Sequence, residues 1–169
     1  MTSLELLRHQ LELVIWADDQ QLDAAASLSA DQLKKDFGFS FGSVHATLVH
    51  MYGAAYLWLN RLQGNDDLPY PTPADLPTLA VVRERWDAVH ADWRTYLAGQ
   101  TEEALDAPFE YGRRGKRYVS PLRAIIAHVL DHATHHRGQL NSLIKLAGGT
   151  MVEVGQMEWS RLHGESRML

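Results

Sequence analysis

The segment HVLDHATHHRGQL, residues 128–140, places His128, His132, His135 and His136 within nine positions, four of the nine histidines in the chain. Neutral imidazole ligates divalent transition metals, and its protonated form acts near neutral pH, so a cluster this dense is a candidate metal or acid–base site. The chain has no cysteine. That removes disulfides, thiolate ligands and a cysteine nucleophile together, leaving histidine nitrogen and carboxylate or water oxygen to hold any metal. A thiol taking part in the reaction would have to arrive on a small molecule.

Helical geometry decides which imidazoles face inward. With Leu122 at zero, Ile125, Ile126, Val129, Leu130, Ala133, Leu140, Leu143 and Ile144 fall within about 80° of it. His136 lies about 40° and His132 about 80° from that centre, whereas His128 and His135 lie about 120° and about 140° away. The inward pair is therefore His132 and His136, spaced i, i+4 and stacked on one face, a spacing that lets two imidazoles reach one ion. Ala133 stands where the H-E-x-x-H protease motif carries its glutamate base, so that reading fails. The spacing alone also fits histidines that bridge carbonyls or water at a core edge. Two of them facing an apolar interior, however, each require a polar partner there.

A third ligand has to come from another helix, where His45 and His50 are available. That helix is apolar nearly all round, so its periodicity does not separate them. His50 shares a strip with Ala46, Ala54 and Leu57, and the small alanines leave room for an ion. His45 reads better as a cap or a flank, and His9, His90 and His163 have no partner pattern. Gln139, three positions after His136, is placed to orient a ligand or a bound water. Arg137 falls about 60° from the apolar centre on the opposite side from His132, where it can pair with a carboxylate on another helix. Gly138 costs helix stability and is expected to permit a close helix contact.

Four helices must position these groups. Leu4, Leu7, Leu11, Val14 and Leu22 predict an amphipathic helix over about residues 3–27. Ser43 caps a second, running to about Leu62 and Gln63 before Gly64. The third spans about 79–98, with Val82, Trp86, Val89, Trp93 and Leu97 on one face. Ser120 and Pro121 open the fourth, which stops at Gly148–Gly149. Trp16, Trp58, Trp86 and Trp93 read as core packing, with one available to wall a pocket. Between the second and third helices lies GNDDLPYPTPADLPT, which fully extended reaches roughly 50 Å against roughly 30 Å for a 20-residue helix. That length permits the two helices to run parallel. FEYGRRGKRYV predicts a β-hairpin, and the tail after Thr150 has no clear pattern. The expected fold is all-α: one domain over residues 1–169, a four-helix bundle with long crossover connections and a small β-hairpin before the last helix.

Composition narrows the partners. The chain is 46% hydrophobic with net charge −5, and its one basic cluster, Arg113 to Arg117, is short. Nucleic acid is not an expected partner, because backbone binding needs a broad basic surface. No apolar run reaches membrane-spanning length, and MTSLELLRHQ lacks the features of a signal peptide, so a cytoplasmic location is expected.

With these residues in place, the chain resembles the DinB/YfiT-like superfamily of metalloenzymes, unrelated to the DNA polymerase also called DinB. WADDQQL, FGSVHATLVHMYGAAYLWLNRL and HVLDHATHHRGQL carry the resemblance, in that order, across most of the helical core. The resemblance implies a four-helix bundle, often a homodimer, with one divalent metal on His50, His132 and His136. Zinc, nickel and iron are the leading candidates for the ion. Asp18 and Asp131 stand where many relatives carry asparagine, and Asp131 beside His132 would add charge next to the ligands. Branches of the superfamily are transferases or isomerases using low-molecular-weight thiols. The implied function is thus a metal-dependent thiol S-transferase or hydrolase acting on a small electrophile, in stress or detoxification. The alternative is a non-catalytic metal-binding module of the stress response whose ion stabilises the bundle.

Overall fold

The computed structural model describes residues 1–113 and 115–164. Four long helices form the body: α1 (Ser3–Ala26), α3 (Val44–Leu62), α4 (Leu79–Ala98) and α5 (Leu122–Leu146). Two short ones, α2 (Ala30–Lys34) and α6 (Gln156–Leu162), flank them. A 3-10 turn, Glu103–Asp106, precedes a hairpin of β1 (Pro108–Arg113) and β2 (Lys116–Pro121), paired antiparallel from Pro108↔Pro121 to Arg113↔Lys116. The all-α bundle with its hairpin before the last long helix is therefore present.

Local chemistry sets the helix starts. Thr2 and Glu5 form a reciprocal capping box on α1, and Ser29 with Gln32 does the same on α2. Ser43 caps α3 through the Ala46 amide, and Thr78 caps α4 through that of Val81. The start of α5 differs from the Ser120 cap expected. Pro121 occupies the cap position without a side-chain hydrogen bond, because Ser120 is still paired with Phe109 in the hairpin.

Around the bundle, α5 and α4 each contact both α1 and α3. Side-chain bonds fix the directions. Asp23 meets Arg83 and Glu12 meets Arg94, so α1 and α4 are antiparallel. Gln21 donates to the Arg137 carbonyl near the end of α1, while Gln10 and Ala127 share a groove near its start, so α1 and α5 are parallel. His50 lies beside His132 and Trp58 beside His128, which makes α3 antiparallel to α5 and hence parallel to α4. The Pro-rich linker over residues 63–78 is the crossover this requires.

Leu22, Val44, Leu48, Val82, Leu140, Leu143 and Ile144 are fully buried at the centre. Each such side chain contributes about 1.5–3 kcal/mol relative to an exposed one. Trp58, Trp86 and Trp93 are buried as expected, whereas Trp16 is only partly buried. The tail contributes α6, whose Trp159 packs edge-on against Trp16. No helix among the described residues is long and apolar enough to cross a membrane.

Candidate metal centre

His50 from α3 and His132 and His136 from α5 converge at one point in the bundle. One ring nitrogen from each lies within 4.8 Å of the other two. His50 Nε2 and His132 Nε2 are 3.2 Å apart. Two imidazoles bound tetrahedrally at 2.0–2.1 Å from an ion would have nitrogens about 3.3 Å apart, so this pair is already at ligating separation. The three histidines could hold a metal ion.

The surroundings orient the rings. Tyr70 donates its hydroxyl hydrogen to the His50 carbonyl at 2.6 Å, which leaves its oxygen to accept from Nδ1–H of His50 at 3.0 Å. Gln139 Oε1 accepts from Nδ1–H of His136 at 2.7 Å and from Ser40 Oγ at 2.7 Å. With Nδ1 protonated on both rings, Nε2 is the lone-pair nitrogen. Burial and the neighbouring rings keep the imidazoles neutral. Burial, then His136, lowers His50 to about 4; burial, then His136 and His50, lowers His132 to about 3. Burial also lowers His136, partly opposed by its bond to Gln139. Neutral, converging imidazoles are the form that binds a cation.

Irregular segments complete the cradle. Phe41 stacks on His50 with ring centroids 3.7 Å apart, from a loop in which Ser40 adopts a left-handed φ of 56°. A non-glycine residue there is uncommon, and the Ser40–Gln139 bond helps hold it. Tyr70 comes from the crossover, which His45 anchors: its Nε2 lies 2.8 Å from the Leu76 carbonyl. The ring of Tyr70 lies against α3 at Gly53, where a Cβ would fall 2.5 Å from Tyr70 Cε1. The close approach expected at Gly138 occurs instead at Gly53, since the Cβ position of Gly138 meets nothing within 4 Å.

The sequence-derived candidates divide cleanly. His50, His132, His136 and Gln139 come together. Asp131 does not join them: it is exposed and lines a groove on another face of α5 with Gln10 and Thr134. Adjacent helical residues diverge by about 100°, which carries Asp131 away from the metal-facing side of His132. His45, buried, serves the linker. Arg137 finds the carboxylate expected of it: its Nη1 lies 3.6 Å from Asp18 Oδ1, and Asp18 Oδ2 lies 3.5 Å from His90 Nε2. His90, which had no partner pattern in the sequence, thus acquires one across the bundle. Tyr70, Ser40 and Phe41 were missed. Their signal was compositional at most, an isolated tyrosine among prolines and a glycine-rich FGFSFGS, because neither segment has a period that reports direction.

A pocket of about 330 Å³ opens beside the triad, with His50, His132, Tyr70, Trp58, Arg61 and Arg113 in its lining. Trp58 is the tryptophan that walls it. On the inner side, a narrow cavity of about 30 Å³ is lined by His132 together with Asp18, Trp86 and His90.

The DinB family model matches residues 1–166. This chain belongs to the DinB family. An uncharacterised protein of Bacillus subtilis (strain 168), YizA, is 25% identical over 127 residues, covering 73% of this chain and 76% of that protein. Among solved structures, a conserved protein from Enterococcus faecalis superposes with a TM-score of 0.65 at 17% identity, covering 87% of this chain and 98% of the other. A DinB-like protein from Bacillus cereus ATCC 10987 gives 0.60 at 19% identity, over 82% and 91%. At these identities the structural likenesses establish the fold of this DinB-family chain and leave its chemistry to its own residues.

Proposed function

We propose that this DinB-family protein is a metal-dependent enzyme that joins a low-molecular-weight thiol, or water, to a small electrophile. The observation that carries this reading is that His50 and His132, two members of a neutral histidine triad, line a pocket large enough for a small molecule. Structural metal sites are closed by four protein ligands, whereas catalytic ones keep a position free. A divalent ion on His50, His132 and His136 would supply Lewis acidity and favour the deprotonated form of a thiol or water.

The chain's own residues do the rest. Tyr70 and Gln139 hold His50 and His136 with their Nε2 lone pairs presented. Phe41 shields one side of the triad from solvent, and Trp58 gives the pocket an aromatic wall. No cysteine, serine or threonine is among the residues lining the pocket, so the nucleophile is assigned to the incoming thiol or water. A role in clearing reactive electrophiles fits this chemistry.

The test is elemental analysis of untagged protein purified without chelator, with zinc, nickel and iron reloading, beside His132→Ala. Turnover is then followed with 1-chloro-2,4-dinitrobenzene and small thiols, and with activated esters for hydrolysis. Metal lost by the variant together with metal-dependent turnover supports the proposal. Metal that raises the melting temperature, with no turnover across both panels, would replace it with the stabilising-ion reading.

A further inference from the structure

The pocket beside the triad contains two arginines and no carboxylate. Arg61 reaches it from α3, with its guanidinium carbon 5.0 Å from the Trp58 ring, and Arg113 reaches it from the end of β1. The nearby acids are already committed to a third arginine. Asp66 pairs with Arg117 at 3.2 Å and accepts from the Gly112 amide at 3.3 Å, and Glu110 pairs with Arg117 at 3.4 Å. Among the described residues, neither Arg61 nor Arg113 has an ion-pair partner. The Nε of Arg61 is buried and has no hydrogen-bond partner among them. Guanidinium is built to take a carboxylate through two parallel hydrogen bonds.

We infer that this pocket binds a small organic anion, its carboxylate held by Arg61 and Arg113 while the remainder of the molecule reaches the triad. The contact of the Arg61 guanidinium with the Trp58 ring limits its freedom. The inference deepens the enzymatic reading and rests on it for the identity of the bound molecule as a substrate. The carboxylate can be carried by the thiol or by its reaction partner. In either case the pocket selects against neutral compounds of the same shape.

The experiment is calorimetric titration of the full-length protein with three probes: mercaptosuccinate, its dimethyl ester, and succinate. The same titrations are run on a variant carrying Arg61→Gln and Arg113→Gln. Metal content, melting temperature and turnover are measured on each preparation. The expected result is that mercaptosuccinate binds at least about ten-fold more tightly than its ester, and that the variant removes this preference with metal content and melting temperature retained. Succinate binding as tightly as mercaptosuccinate would place the recognised anion on either reactant, and weaker succinate binding would place it on the thiol. Equal binding of acid and ester, an undiminished preference in the variant, or no binding of either anion would overturn the inference. Metal-dependent turnover without anion preference would leave the enzymatic reading intact and remove this one. Anion preference without turnover would do the reverse.

Discussion

Two polar clusters lie inside this bundle, and they are built on opposite principles. Asp18, His90 and Arg137 bring a carboxylate, an imidazole and a guanidinium together from three helices, and all three residues are buried. Gln21 adds a bond from its amide to the Arg137 carbonyl, and Thr134 accepts from Arg137 Nη2 at 2.7 Å. The Asp18 carboxylate and the Arg137 guanidinium offset each other in charge, although Asp18 Oδ1 and Arg137 Nη1 make no hydrogen bond among the described residues. The His50–His132–His136 cluster contains three groups of the same kind, with ring nitrogens converging, no carboxylate among them and a pocket on one side. Buried polar groups that answer one another hold helices in register; buried groups that all present the same face await something from outside.

Substitutions can separate the two clusters. The largest effect belongs to His132→Ala, expected to lower bound metal from near one ion per chain to below about a tenth, since affinity depends on the full ligand set. Elemental analysis checks this, and circular dichroism should show the helices retained. Asp18→Ala acts on the other cluster: it leaves Arg137 buried without its carboxylate and should cost about 3–5 kcal/mol in urea unfolding, with metal stoichiometry kept. An Asp18→Ala protein of unchanged stability would show that the closed cluster is not what ties α1 to α5.

A subtler test removes only the support of the open cluster. Tyr70→Phe deletes the hydroxyl that orients His50 and should weaken metal binding about ten-fold, read by competition with a chromogenic chelator. Gly53→Ala should reproduce this loss by pushing the Tyr70 ring away from α3.

The open cluster also makes stability depend on pH. In metal-free protein His50 and His132 bind protons less readily when folded, with values of about 4 and about 3 against 6.5. The unfolded chain therefore takes up more protons below 6.5, and these groups cause stability to fall as pH drops from 6.5 toward 3. His45, lowered by burial, adds in the same direction. Urea midpoints across pH 7.5 to about 4 should decline, and added metal at pH 7 should raise them. Flat midpoints would mean that the open cluster is already satisfied without an ion.

Much of this was legible in residue types. The inward turn of His132 and His136 follows from the apolar face of α5, because a helix of known period converts position into direction. The crossover followed from the length and proline content of residues 64–78. His50 and His45 could not be separated in this way, since both sit on a helix whose twelve buried residues lie nearly all round it. Asp131 was drawn toward the site by adjacency in sequence, although adjacency on a helix means divergence.

The sequence by itself therefore determined the helices, their apolar faces, the cysteine-free ligand chemistry and the two histidines on α5. The alanine strip and the family resemblance pointed to His50; only the tertiary structure brought it to them, set His45 against the linker, carried Tyr70 over to hold His50 and joined Asp18 to Arg137 and His90. The physical reason is that periodicity sets directions around one helix axis. It carries no information about the relative rotation of two axes or the path of an irregular chain, and those are settled by packing many side chains at once.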